Sequence, residues 1–138
     1  MREASSISEK AVQSLLQAHG GRIVAVALFG SVARGEEDAR SDMDFLVVVR
    51  DFPWSLERRY LLYEPVHRAV NEGTERKRDV TVIDVDESDI LNDGLEVSPL
   101  LINIASDAKM IYDPEGILLG FVGKVKRLIE AAGLERYG

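Results

Sequence analysis

The sequence contains no cysteine, which excludes a disulfide framework and any thiolate metal site. No stretch approaches the roughly 18 apolar residues that a membrane span requires. No Gly-x-x-x-x-Gly-Lys-Ser/Thr run occurs, so a P-loop is also excluded. Positive charge is scarce: 17 Lys and Arg stand against 24 Asp and Glu, for a net charge of -7. That balance disfavours long DNA or RNA as a partner, because backbone binding rests on neutralising phosphates. Met1-Arg2-Glu3-Ala4-Ser5-Ser6 lacks the apolar core of a secretory signal. The expected location is therefore the cytoplasm, without membrane attachment. Long linkers, internal repeats and low-complexity segments are absent as well.

What is present suits an ordinary globular domain. The 138 residues, 46% hydrophobic and 30% charged, are expected to form one domain over 1–138 with a core that needs no covalent or metal staple. Ile7, Ala11, Val12, Leu15 and Leu16 share one helical face, predicting a helix over Ser6–His19 that Ser6 or Ser8 caps and Gly20-Gly21 ends. Strands are predicted over Arg22–Phe29, Asp44–Arg50, Asp79–Val85 and Lys109–Tyr112. Between them, Ser55–Asn71 reads as an amphipathic helix, Ser88–Gly94 as a helical turn, and Ser98-Pro99 as the start of a helix running to about Ser106. From Pro114 to about residue 132, Leu118, Phe121, Val122, Val125, Leu128 and Ile129 make an apolar stripe at helical spacing. The alternation of helices and strands implies an α/β (α+β) fold, a mixed sheet with helices packed on it.

The chemistry concentrates in one segment. Gly30-Ser31 follows directly on a buried strand and opens a short helix, where a small residue permits close backbone approach and free N–H groups favour an anion. After residues 32 to 41 comes Asp42-Met43-Asp44-Phe45. Residues two apart on a strand point the same way, so Asp42 and Asp44 present adjacent carboxylates. Their mutual repulsion is relieved by a divalent cation, and hard oxygen ligands suit Mg²⁺. Taken singly, each feature has a plain alternative: a capped strand-to-helix turn, and a solvated acidic turn. Their conjunction puts an anion site beside a cation site. The acids precede their apolar run rather than follow it, unlike the arrangement in haloacid-dehalogenase-type phosphatases and Asp-x-Asp glycosyltransferases.

The pattern Phe29-Gly30-Ser31, ten residues, Asp42-Met43-Asp44-Phe45 resembles the signature of the DNA polymerase β nucleotidyltransferase superfamily. Gly-Ser-Val-Ala-Arg-Gly at 30 to 35 and Ser41-Asp42 are most similar to the minimal nucleotidyltransferases of bacteria and archaea, and the resemblance covers about residues 22 to 113. It implies a twisted mixed sheet of about four strands with a C-terminal helix added. It implies nucleotide contacts from Gly30, Ser31, Arg34 and Ser41, and metal ligation by Asp42, Asp44 and a third carboxylate. Arg34 has an alternative partner in Glu36 or Glu37. Asp79 fits the third place, because it begins its strand as Asp42 and Asp44 do; Asp84 would point to the opposite face. The implied cofactors are two Mg²⁺ ions, with Mn²⁺ as an alternative, and ATP as the nucleoside triphosphate.

In that family AMP passes to an acceptor hydroxyl, in some members a tyrosine of a HEPN-domain toxin that the nucleotidyltransferase neutralises. The alternative is a non-catalytic antitoxin that acts by complex formation alone. The C-terminal helix is a candidate to cover the sheet, to form a homo-oligomer, or to dock the partner. Arg76-Lys77-Arg78 is expected to be a solvated lead-in to a strand, His19 to suit a helix C-terminus, and His67 to have no role. Trp54, Tyr60 and Tyr63 are expected in the core or facing a partner.

Overall fold

The most apolar runs of the chain form the two middle strands of a four-stranded sheet. In the computed structural model, residues 2–33, 42–72, 78–91, 104 and 108–131 are described. Strand β1 (Ile23–Phe29) runs antiparallel to β2 (Met43–Val49) on one side and to β4 (Lys109–Tyr112) on the other; β3 (Val80–Asp86) runs parallel to β2. The order is β3-β2-β1-β4. The sheet is mixed, as the sequence predicts. β1 and β2 are buried on both faces, which accounts for their lack of polar alternation.

Helices cover each face. Helix α1 (Arg2–His19) supplies Ala11, Val12 and Leu15, and α3 (Arg58–Asn71) supplies Leu62, Val66 and Val70, to a core with Met43, Phe45, Val47 and Val49 of β2. On the other face α5 (Ile117–Ala131) packs Leu118, Phe121, Val122 and Val125 against Val24, Ala27, Leu46 and Val48. Two short helices, α2 (Gly30–Ala33) and α4 (Glu87–Ile90), follow β1 and β3. A register shift between Ile23 and Ala25 lets Ile23 and Val26, three residues apart, reach the same core.

The differences from expectation are local. Helix α1 begins at Arg2, ahead of Ser6 and Ser8, so neither serine caps it, and Ser8 is buried. Arg22 belongs to a 3₁₀ turn over Gly20–Arg22, and the strand starts one residue later. Helix α3 starts at Arg58 because Ser55 closes a turn, its carbonyl accepting the Arg58 N–H at 3.2 Å. Helix α5 starts at Ile117 and not at Pro114: the Asp113 carboxylate accepts the N–H groups of Leu118 (3.1 Å) and Leu119 (2.8 Å), so it caps from outside a short turn. The helix predicted from Ser98 to about Ser106 lies outside the described residues except for Ile104, which is helical and buried. No described helix is long and apolar enough to cross a membrane.

Candidate active site

Strand direction brings the chemistry to one end of the sheet. β1 and β2 are antiparallel, so the end of β1 lies beside the start of β2, and Phe29 pairs with Asp44. β3 is parallel to β2, so it starts at the same end: Met43 pairs with Val80 and Asp44 with Thr81. Continuing that register by one residue puts Asp79 next to Asp42. The Met43 N–H donates to the Asp79 carbonyl at 3.0 Å, which fixes the two strand starts together. By alternation, Asp42 and Asp44 share the sheet face of Leu46 and Val48, the face that α5 covers further along.

Asp84 stands five residues beyond Asp79 and on the opposite face. Its side chain is 5% exposed and pairs with Arg58 at 3.0 Å and Arg59 at 3.1 Å, both on α3. Its carboxylate is thus occupied in joining α3 to β3, far along the strand from Asp42 and Asp44.

Gly30 lies directly under Asp44. It has φ +78, and a Cβ at this position would run into Asp44 Oδ2. Both conditions favour glycine: any other residue would be strained at that φ and would push the Asp44 carboxylate aside. The Asp44 carboxyl is half-buried, and burial pushes its pKa above the ordinary carboxylate value; a hydrogen bond from the Thr81 hydroxyl opposes that shift, and repulsion from Asp42 adds to it. An ionised Asp42–Asp44 pair is therefore unfavourable by itself and is stabilised by positive charge.

Among the described residues, no three His, Asp or Glu side chains converge closely enough to enclose a metal ion. The site is an open pair with Asp79 at its side, not a closed cage. That donor set fits Mg²⁺, which takes one or two carboxylates and leaves its other positions to water and substrate phosphate oxygens. Asp42 and Asp79 are exposed, so such ligands can reach them.

Of the other residues expected here, Gly30 is in place, and Ser31 belongs to α2 by its backbone. The Ser31 side chain, and Arg34 and Ser41 altogether, lie outside the described residues. Arg78 corrects the sequence reading. Expected to be solvated, it is 7% exposed, while Arg76 and Lys77 lie outside the described residues. Sequence reasoning also missed Thr81, which the period-two rule applied from Asp79 would have found, and the buried Arg58 and Asn71, for which no local pattern gives a signal. His19 Nε2 donates to the Leu61 carbonyl (2.7 Å), and His67 lies against the Tyr63 ring; neither is near the carboxylates.

A family profile for the nucleotidyltransferase domain matches residues 8–109. The chain belongs to that family. The nucleotidyltransferase domain also matches a Methanocaldococcus jannaschii protein named "Putative protein adenylyltransferase", with 27% identity over 127 residues, covering 91% of this chain and 83% of that one. Among solved structures, it resembles a toxin–antitoxin complex with AMP-PNP (TM-score 0.60, 18% identity, 90% of this chain and 88% of the other). It also resembles a chain from the tri-AMPylated Shewanella oneidensis HEPN toxin in complex with its MNT antitoxin (TM-score 0.58, 16% identity, 93% and 88%). At these identities the structural likenesses establish the fold, and the nucleotidyltransferase domain has the mixed sheet and helices of its neighbours.

Proposed function

We propose that this nucleotidyltransferase domain transfers AMP from ATP to a hydroxyl on a protein partner of HEPN type, a tyrosine, and so acts as its antitoxin. The observation that carries the reading is the conjunction at the sheet end: Asp44 over Gly30, Asp42 beside it, and Asp79 just before β3, its carbonyl bonded to the Met43 N–H. The protein acceptor is supported by the names of the relatives, one a protein adenylyltransferase and one a complex with an AMPylated toxin.

In the proposed reaction the acceptor oxygen bonds to the α-phosphorus as the bridging α–β P–O bond breaks. Pyrophosphate leaves, and the hydroxyl proton passes to the Asp79 carboxylate. Asp42 and Asp44 would hold Mg²⁺, or Mn²⁺, which would supply positive charge to neutralise the phosphates during transfer. Gly30 lets the backbone at the start of α2 come close to the phosphates, with Ser31, Arg34 and Ser41 as further nucleotide contacts. Thr81 holds the Asp44 carboxylate in orientation.

The test is incubation with each labelled nucleoside triphosphate, Mg²⁺ or Mn²⁺, and the protein encoded by the neighbouring gene. Label on a tyrosine of that protein is the expected result. Asp42→Asn and Asp44→Asn should abolish transfer. If neutralisation of the partner survives in those variants, the domain works by binding alone. That second reading draws on the openness of the carboxylate site and on the apolar side chains exposed around α3: Trp54 at 79%, Leu56 and Tyr60.

A further inference from the structure

Asn71 is the last residue of α3, is 3% exposed, and turns its amide toward the segment that leads into β3. Its Oδ1 accepts the Arg78 N–H at 2.6 Å, and its Nδ2 donates to the Arg78 carbonyl at 3.0 Å. The same Nδ2 lies 3.3 Å from the His67 carbonyl. One side chain thus grips both polar groups of a single residue, as a neighbouring strand would. The residue gripped is the one before Asp79. On its other side Asp79 is held by β2, through the Met43 N–H.

We infer that Asn71 is a positioning residue for Asp79, transmitting the rigidity of the α3 core to the third carboxylate of the site. The inference rests on the proposed nucleotidyl transfer, since it takes Asp79 as a metal ligand. The physical argument has two parts. α3 is anchored through Leu62, Val66 and Val70 in the core, so Asn71 projects from a fixed platform. The paired register of β3 with β2 starts at Val80 opposite Met43, so the Arg78 peptide that Asn71 holds lies just ahead of that ladder. The amide and the Met43 N–H thus hold the backbone on either side of the Asp79 Cα, and losing the amide's two hydrogen bonds lets the carboxylate shift relative to Asp42. A displacement of about 1 Å in a catalytic group is enough to cost on the order of 100-fold in rate.

A residue that only stabilised the loop would change the melting temperature and leave ligand binding alone. The discriminating measurement is therefore Mn²⁺ stoichiometry and affinity on the full chain with a non-hydrolysable ATP analogue. Wild type is expected to bind two Mn²⁺ per chain, and Asp79→Asn to bind the second weakly. Asn71→Asp keeps an acceptor for the Arg78 N–H and removes the donor. It should weaken the second Mn²⁺ by on the order of 10- to 100-fold, as loss of an outer partner of a metal ligand does, and leave the first unchanged. The double variant should be no weaker than Asp79→Asn alone, because both changes act through one ligand.

Asn71→Asp that folds and binds both ions as wild type does overturns the inference, as does equal weakening of both ions. If Asn71→Asp fails to fold, the wild type still answers through hydrogen exchange. Exchange of the Arg78 amide should slow when Mn²⁺ and the analogue bind, and should not slow in Asp79→Asn; the same slowing in both overturns the inference. Failure of the parent reading looks different: wild type then binds no Mn²⁺ with the analogue, or Asp79→Asn binds both ions fully.

Discussion

At the scale of single residues, Gly30 is where one methyl group matters most. Gly30→Ala must place its Cβ against Asp44 Oδ2 and adopt a left-handed backbone, which costs about 1–2 kcal/mol before any clash is counted. The expected outcome is a loss of transfer by about 100-fold or more with a modest fall in melting temperature, checked by transfer kinetics beside thermal unfolding. Normal transfer by Gly30→Ala would remove the close approach from the account. Asp42 and Asp44 were legible because a strand's period of two needs no tertiary knowledge. Thr81 was equally legible in principle, two residues beyond Asp79, yet its partner Asp44 is on another strand and only the parallel register joins them.

Between elements, the junction of α3 with β3 depends on a charge cluster the sequence does not advertise. Arg58 is 1% exposed, pairs with Asp84 and Asp86, and is stacked by Trp54 at 4.9 Å and Phe52 at 5.9 Å. Its Nε lies 3.0 Å from Asp84 without the alignment of a hydrogen bond, so the pairing there is chiefly Coulombic. Removing one partner of a buried pair typically costs about 3–5 kcal/mol. With Asp86 remaining, Asp84→Asn should fall toward the low end of that range in urea unfolding and leave Mn²⁺ binding intact. Asp79→Asn should do the reverse: little change in stability and loss of the second ion. If Asp84→Asn instead lost metal and kept its stability, the roles of the two acids would be exchanged. A smaller test at this scale is Asp113→Ala, which removes the cap of α5 and should cost about 1 kcal/mol.

For the molecule as a whole, Arg50 joins three distant segments. From the end of β2 it donates two hydrogen bonds to Glu87, at the start of α4, and one to Glu115, before α5. The Arg50 hydrogen bonds hold the Glu87 carboxyl below the ordinary value, more than its partial burial raises it. A carboxyl lowered in the folded state stabilises the fold at pH values above its unfolded pKa, about 4.3, and that contribution is lost as pH falls through the lower folded value. The unfolded chain then takes up the proton first. Melting temperature should accordingly fall as pH drops below about 4.3, and Glu87→Gln should flatten that part of the acid limb; an unchanged limb would show that the ion pair does not couple the segments.

By itself the sequence determined the helices and strands near their observed ends, the mixed sheet, and the acidic pair beside a glycine turn. All of these follow from periodicity, propensity and short spacing, which are properties of contiguous residues. It did not determine the order β3-β2-β1-β4 or the assembly of the ends of β1, β2 and β3 at one place. Strand pairing joins segments tens of residues apart, and a sequence records no register between them. The same reason hid Arg58, Arg78 and Asn71. Each looks like a surface polar residue in its own segment, and each is buried because another segment supplies its partners or the apolar cover over it. The burial of Arg78, where a solvated basic lead-in was expected, is a tertiary outcome: its backbone is bonded to the Asn71 amide at the end of α3. The family was readable from contiguous residues, whereas the way Asp79 is held beside Asp42 was decided by the fold.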